Sequence, residues 1–126
     1  RLRASAPGNA RFTGFVPGDD VARWFAAADV ALLPYPQPFA SSGPLALALA
    51  HGTPVLLSEA LARTTGAPTT LRTGLDPAEL AARLRRLADD PAQRAGLGEA
   101  AARMAAGRGW PEVARRHLEL YGEVAA

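Results

Sequence analysis

The chain has 126 residues, 48% hydrophobic and 21% charged, with a formal net charge of +2 and no cysteine. That is enough chain for one domain with a real core, and the balance is globular rather than disordered. The absence of cysteine excludes disulfides and thiolate metal sites, and it fits a reducing compartment.

In chain order, Arg11 to Phe15 reads as a short strand with Phe12 and Phe15 as its bulky residues. Pro17-Gly18 is a turn, and Asp19 or Asp20 is expected to cap the helix that follows. In that helix Val21, Trp24, Phe25 and Ala28 fall at i, i+3, i+4 and i+7, which is one face. Val30 to Leu33 is an apolar strand stopped by Pro34. A helix is expected from Pro44 to Ala50, ended by Gly52, and Pro54 to Leu57 opens a second apolar strand. Glu59 to Pro68 reads as a loop or broken helix, because Thr64, Thr65, Gly66 and Pro68 interrupt it. Thr69 to Thr73 is a weak β-branched strand.

Asp76-Pro77-Ala78-Glu79 is a helix start, with Leu80, Leu84 and Leu87 as the buried face. Asp90-Pro91 restarts a helix that Gly107 and Gly109 end. Trp110-Pro111-Glu112 opens a last helix, 110–126, carrying Val113, Ala114, His117, Leu118 and Tyr121.

Strands that are apolar on both faces belong in a parallel sheet covered by helices. The alternation therefore predicts an α/β fold: a partial Rossmann-like three-layer domain with a parallel sheet of about four strands and a helical C-terminal segment. In such sheets, ligands bind where a strand's carboxyl end passes into a helix N-terminus. Ser41-Ser42-Gly43 occupies that place. Small side chains there let an anion approach the free backbone amides of the first helical turn.

These residues resemble the C-terminal half of a family 4 glycosyltransferase of the GT-B architecture. The matching pieces are Arg11-Phe12-Thr13-Gly14-Phe15-Val16, Ala27-Ala28-Asp29-Val30 running into Leu33-Pro34, and Ala48-Leu49-Ala50-His51-Gly52-Thr53-Pro54-Val55. The tail of Trp110, Val113-Ala114 and Leu120-Tyr121 is similar to the family's closing helix. The order of the pieces is more specific than any one of them.

The resemblance implies a C-terminal nucleotide-sugar-binding domain, over 1–126, of an enzyme that moves a sugar to an acceptor with retention. It places Ser41, Ser42 and Gly43 under the donor's diphosphate or hexose, and the backbone of Val16 beside the nucleobase. The donor is expected to be a UDP- or GDP-sugar, with no other cofactor, no metal site and no catalytic residue in this piece. The partners implied are the nucleotide sugar and the protein's own N-terminal domain, on which helix 110–126 packs. The implied location is cytoplasmic, including the inner face of the membrane.

The chain departs from the family at two places. Where the family carries a spaced pair of glutamates reading the donor's sugar and ribose hydroxyls, this chain has Phe39 and Leu47. Neither side chain accepts a hydrogen bond. The family's diphosphate-neutralising Arg and Lys, two further strands, the catalytic histidine and the acceptor site fall outside this sequence. Together with Arg1 in place of Met, this reads as a fragment, inactive alone, whose first strand either pairs beside Val30 or stays loose.

Plainer readings apply elsewhere. Ser41 and Ser42 can serve simply as a helix cap. His51 reads as a surface residue at a helix end, His117 as packing or solvent, and Asp29 as a structural cap. Glu59 follows a strand where ligand loops lie, so it is a weaker site candidate. Trp24, Phe25 and Trp110 read as core, and Arg83, Arg85 and Arg86 as a solvated face. All basic residues are Arg, the excess is slight, and no basic stripe with aromatics occurs, so no nucleic-acid partner is expected. Two alternatives stay open: a degenerate domain kept as a structural or partner-binding module, and an unrelated small α/β binding domain.

Overall fold

A computed structural model describes residues 2–125; Arg1 and Ala126, the expected ends of the domain and of its last helix, lie outside the described residues. A short helix α1 (Leu2–Ser5) precedes irregular chain that leads to α2 (Gly18–Ala27). Then follow β1 (Ala31–Leu33), α3 (Gly43–Ala50), β2 (Val55–Ser58) and α4 (Glu59–Thr65). A 3-10 turn at Thr69–Leu71 runs into β3 (Arg72–Thr73), and the chain closes with α5 (Pro77–Asp89), α6 (Pro91–Ala106) and α7 (Trp110–Ala125).

The three strands form one parallel sheet in the order β1-β2-β3. Ala31 lies opposite Val55, and Leu57 opposite Arg72. All four residues of β2 are buried, so both faces of the central strand are covered. The fold is the expected partial Rossmann-like α/β domain, with one strand fewer than the sequence suggested. Arg11 to Phe15 is irregular and exposed. Its phenylalanines found no sheet edge: Phe15 is open to solvent, and the Phe12 ring instead takes the Arg3 guanidinium 5.5 Å from its centroid.

Leu45, Ala48 and Leu49 of α3 and Leu61 and Ala62 of α4 join the β2 side chains in the core. Leu87 of α5 and Leu97, Ala100 and Ala101 of α6 complete it. Helix α6 packs on α3, on β2 and on the 3-10 turn. Fully burying a leucine of this kind contributes about 1.5–3 kcal/mol, and the core holds many.

Several boundaries differ from the sequence reading for local reasons. Pro17, not an aspartate, is the N-cap of α2; Asp19 and Asp20 sit inside the first turn, where carboxylates still complement the helix dipole. Residues 59–65 are an intact helix, because Ser58 caps it by accepting from the Leu61 amide at 3.3 Å. Gly66 ends it in the left-handed region at φ 64°, a conformation that costs an L-residue about 1–2 kcal/mol. In α5, Leu87 is buried but Leu84 is exposed. Arg83 is not a solvated residue: it donates to the Thr70 carbonyl at 3.3 Å, and its Nε is buried without a partner. Trp24 and Trp110 are surface residues at 53% and 84% exposure, while Phe25 packs against the core.

Candidate functional site

An open hollow of about 970 Å³ runs along α3. Its walls come from the loop before α3, the outer face of α3, the end of α4, the α6–α7 turn and the first turns of α7. Ser41 and Ser42 stand at its head and Ala50 at its foot.

The head is built by local bonds. The Ser42 hydroxyl accepts from the Leu45 amide at 3.3 Å and so caps α3. The same hydroxyl lies 3.5 Å from the Tyr35 hydroxyl, to which it donates. Thr64 of α4 donates to the Phe39 carbonyl at 2.9 Å, tying the loop to the next helix. Tyr35 and Phe39 meet edge to face, their centroids 5.3 Å apart. Ser42 thus does the capping that the plainer reading expects. Ser41 does not: it is exposed, and its hydroxyl has no partner among the described residues. Pro44 falls in the first turn, where its missing N–H is no loss to the helix.

The residues proposed from sequence are only partly gathered here. Ser41 and Ser42 line the hollow; Gly43 opens α3 beside them, exposed, with empty space where a Cβ would sit. Val16 lies apart, half-buried in the irregular chain before α2, and does not line the hollow. Leu47 does line it and is 42% exposed, while Phe39, 50% exposed, is not part of its lining. Both are exposed apolar surface.

Glu59 heads α4 and is paired with Arg72 at 3.0 Å. His51 is an exposed helix-end residue, stacked on the Phe25 ring with centroids 6.0 Å apart. Asp29 is exposed ahead of β1 and caps nothing among the described residues. His117 is exposed on α7, its Nδ1 2.8 Å from the Val113 carbonyl.

Sequence reasoning missed the far wall. Arg103, Arg108, Arg116 and Trp110 reach the hollow from α6, α7 and the turn between them. Arg108 donates to the Thr65 carbonyl, which fixes the turn against the end of α4. The available signal was Arg108 itself, a cation between Gly107 and Gly109 just past a helix end.

The parallel sheet with its covering helices defines a partial Rossmann-like α/β domain, and the hollow opens where the loop after β1 passes into α3. Residues 1–90 match the family described as "Glycosyl transferases group 1", and the chain belongs to it. It is similar to the D-inositol 3-phosphate glycosyltransferase of Streptomyces avermitilis, with 40% identity over 117 residues, covering 88% of this chain and 25% of that protein. The proteins of that name from Thermobispora bispora (38% over 116 residues, 85% and 26%) and Arthrobacter sp. (40% over 112 residues, 84% and 26%) are similar too. The chain thus spans about a quarter of the length of these relatives. No solved structure gives a significant match. No helix among the described residues is long and apolar enough to cross a membrane.

Proposed function

We propose that this chain is the donor-binding part of a glycosyltransferase that moves a sugar from a UDP- or GDP-sugar to an acceptor with retention, and that it does not transfer sugar alone. What supports this is the placement of Ser41 and Ser42. Ser41, exposed, and Ser42, half-buried, stand at the head of the hollow, beside the first turn of α3, in a chain that belongs to the group 1 glycosyltransferases. Pro44 has no N–H and the Leu45 amide already donates to Ser42, so the small side chains leave room for a phosphate to meet the amide of Gly43. Val16 would border the base only if the irregular segment that carries it folds toward the hollow when ligand binds.

Helix α7 fits the role of a docking element for the rest of the protein. It has no buried residue, and it exposes Leu118, Tyr121 and Val124. An unpartnered apolar face of this kind is completed by another surface. We assign that surface to the protein's own N-terminal domain, and the whole to the cytoplasm or the inner face of the membrane.

Titration calorimetry of the 126-residue chain with UDP- and GDP-sugars tests the proposal. Saturable binding is expected, weakened by Ser41→Phe and by Gly43→Val, with no sugar transfer by the chain alone. One observation favours a second reading, a degenerate module kept for structure or for a partner: Leu47 presents hydrocarbon to the hollow. Failure of every nucleotide sugar to saturate an intact chain would select that reading.

A further inference from the structure

The hollow has a charge pattern that the donor-site reading does not use. Arg103, Arg108 and Arg116 line it, and no Asp, Glu, Asn or Gln does. The carboxylates nearest these cations are few and outside the lining. Arg103 meets Glu99 at 3.7 Å, with both side chains largely in solvent. Arg116 shares Glu112 with Arg115. Arg108 has no carboxylate partner among the described residues; its bond is to the Thr65 carbonyl. The hollow is therefore locally positive in a chain whose overall charge is only +2.

Beside the three guanidinium groups, the side-chain oxygen acceptors of the lining are the hydroxyls of Ser41, Ser42, Thr64 and Thr65, with no carboxylate or carboxamide among them. The Thr64 and Thr65 hydroxyls are engaged with carbonyls of α4 and of Phe39. Leu47, Met104, Trp110 and Val113 supply hydrocarbon. Sugar and ribose hydroxyls need acceptors as well as donors, whereas phosphoryl oxygens need donors only. Guanidinium forks suit those oxygens in particular.

We propose that Arg103, Arg108 and Arg116 hold the phosphoryl oxygens of an anionic ligand in this hollow, and that the hollow selects ligands by phosphate charge, with base and sugar adding little. The nucleotide identity of that ligand rests on the donor-site reading; the selection by charge does not.

The test is calorimetric titration of the 126-residue chain with pyrophosphate, UDP, UDP-glucose and uridine. Pyrophosphate, UDP and UDP-glucose are expected to bind within about fivefold of one another, and uridine not at all, since donor-rich sites reward phosphate alone. Raising KCl from about 50 to 500 mM should weaken pyrophosphate about tenfold, as expected for exposed charges. Arg108→Ala and Arg103→Gln should each weaken it about fivefold. Arg103 lies on an exposed helix face, so its variant keeps the fold if Arg108→Ala does not.

Uridine binding as tightly as UDP would overturn the proposal. So would pyrophosphate that fails to saturate, or that binds equally well to a folded Arg103→Gln. Saturation by pyrophosphate but by no UDP- or GDP-sugar would leave charge selection standing and remove the donor-site reading. Saturation by nucleotide sugars with no effect of either variant would do the reverse.

Discussion

The Arg72 guanidinium spans helix α4 from end to end: it pairs with Glu59 at the helix start, 3.0 Å away, and donates to the Ala67 carbonyl just past the helix end, at 2.8 and 3.1 Å. One side chain from β3 thus fixes both ends of the helix that follows β2. The half-exposed ion pair alone is worth little, but the carbonyl bonds come from a partly buried group. Arg72→Ala should lower stability by about 1–2 kcal/mol, and Glu59→Gln by well under half of that. Urea unfolding followed by circular dichroism separates the two. An equal loss from both variants would mean that the ion pair, not the carbonyl, is what matters.

Leu56 is the most demanding position of the core. It is fully buried in the central strand and pairs with Leu32. Leu56→Ala should cost about 2–5 kcal/mol, a large fraction of the roughly 5–15 kcal/mol expected of a domain, while Leu56→Val should cost much less. Thermal melts of the two variants check this.

Ser42 caps α3, whereas Ser41 bonds to nothing among the described residues. Ser42→Ala should therefore lose about 1 kcal/mol and Ser41→Ala almost none. If Ser41 touches phosphate as proposed, its alanine variant should weaken nucleotide-sugar binding at unchanged stability. Equal melting temperatures for both variants would contradict the capping geometry.

The surface of α7 carries a pH-dependent element. Hydrogen bonds from Arg115, and then from Arg116, hold the Glu112 carboxyl down from 4.5 to about 2. A carboxylate with a depressed folded-state value stabilises the fold above its unfolded value and loses that contribution as it is protonated. The helical signal of α7 should thus be constant above about pH 5 and fall as pH drops from about 4.5 towards 2. Glu112→Gln should remove that contribution from the acid limb of a circular-dichroism titration. An unchanged limb would show that the ion pairs add nothing to the helix.

The sheet and its helices were legible because their signals are local. The runs ending at Leu33 and Leu57 are apolar on both faces, and Asp76-Pro77 and Asp90-Pro91 are cap-plus-proline starts. Both aspartates accept from amides of the first turn, as that pattern predicts. Arg11 to Phe15 misled, since its two aromatic residues report β preference but not whether a neighbouring strand exists. The breakers after Glu59 misled in the other direction. Thr64 and Thr65 turn their hydroxyls back onto carbonyls of their own helix, and so stay helical. The head of the hollow was readable from Ser41 to Gly43. Its far wall was not, because Arg103 and Arg108 sit some 60 residues further along the chain, and only tertiary packing of α6 on α3 brings them there.

Among the described residues, only β2 has a strand on either side. Its amides should therefore be the last to exchange with deuterium, opening only when the whole molecule opens, while those of β1 and β3 leak through local fraying. Loosening of this domain should start at its flanks and reach Val55–Ser58 last.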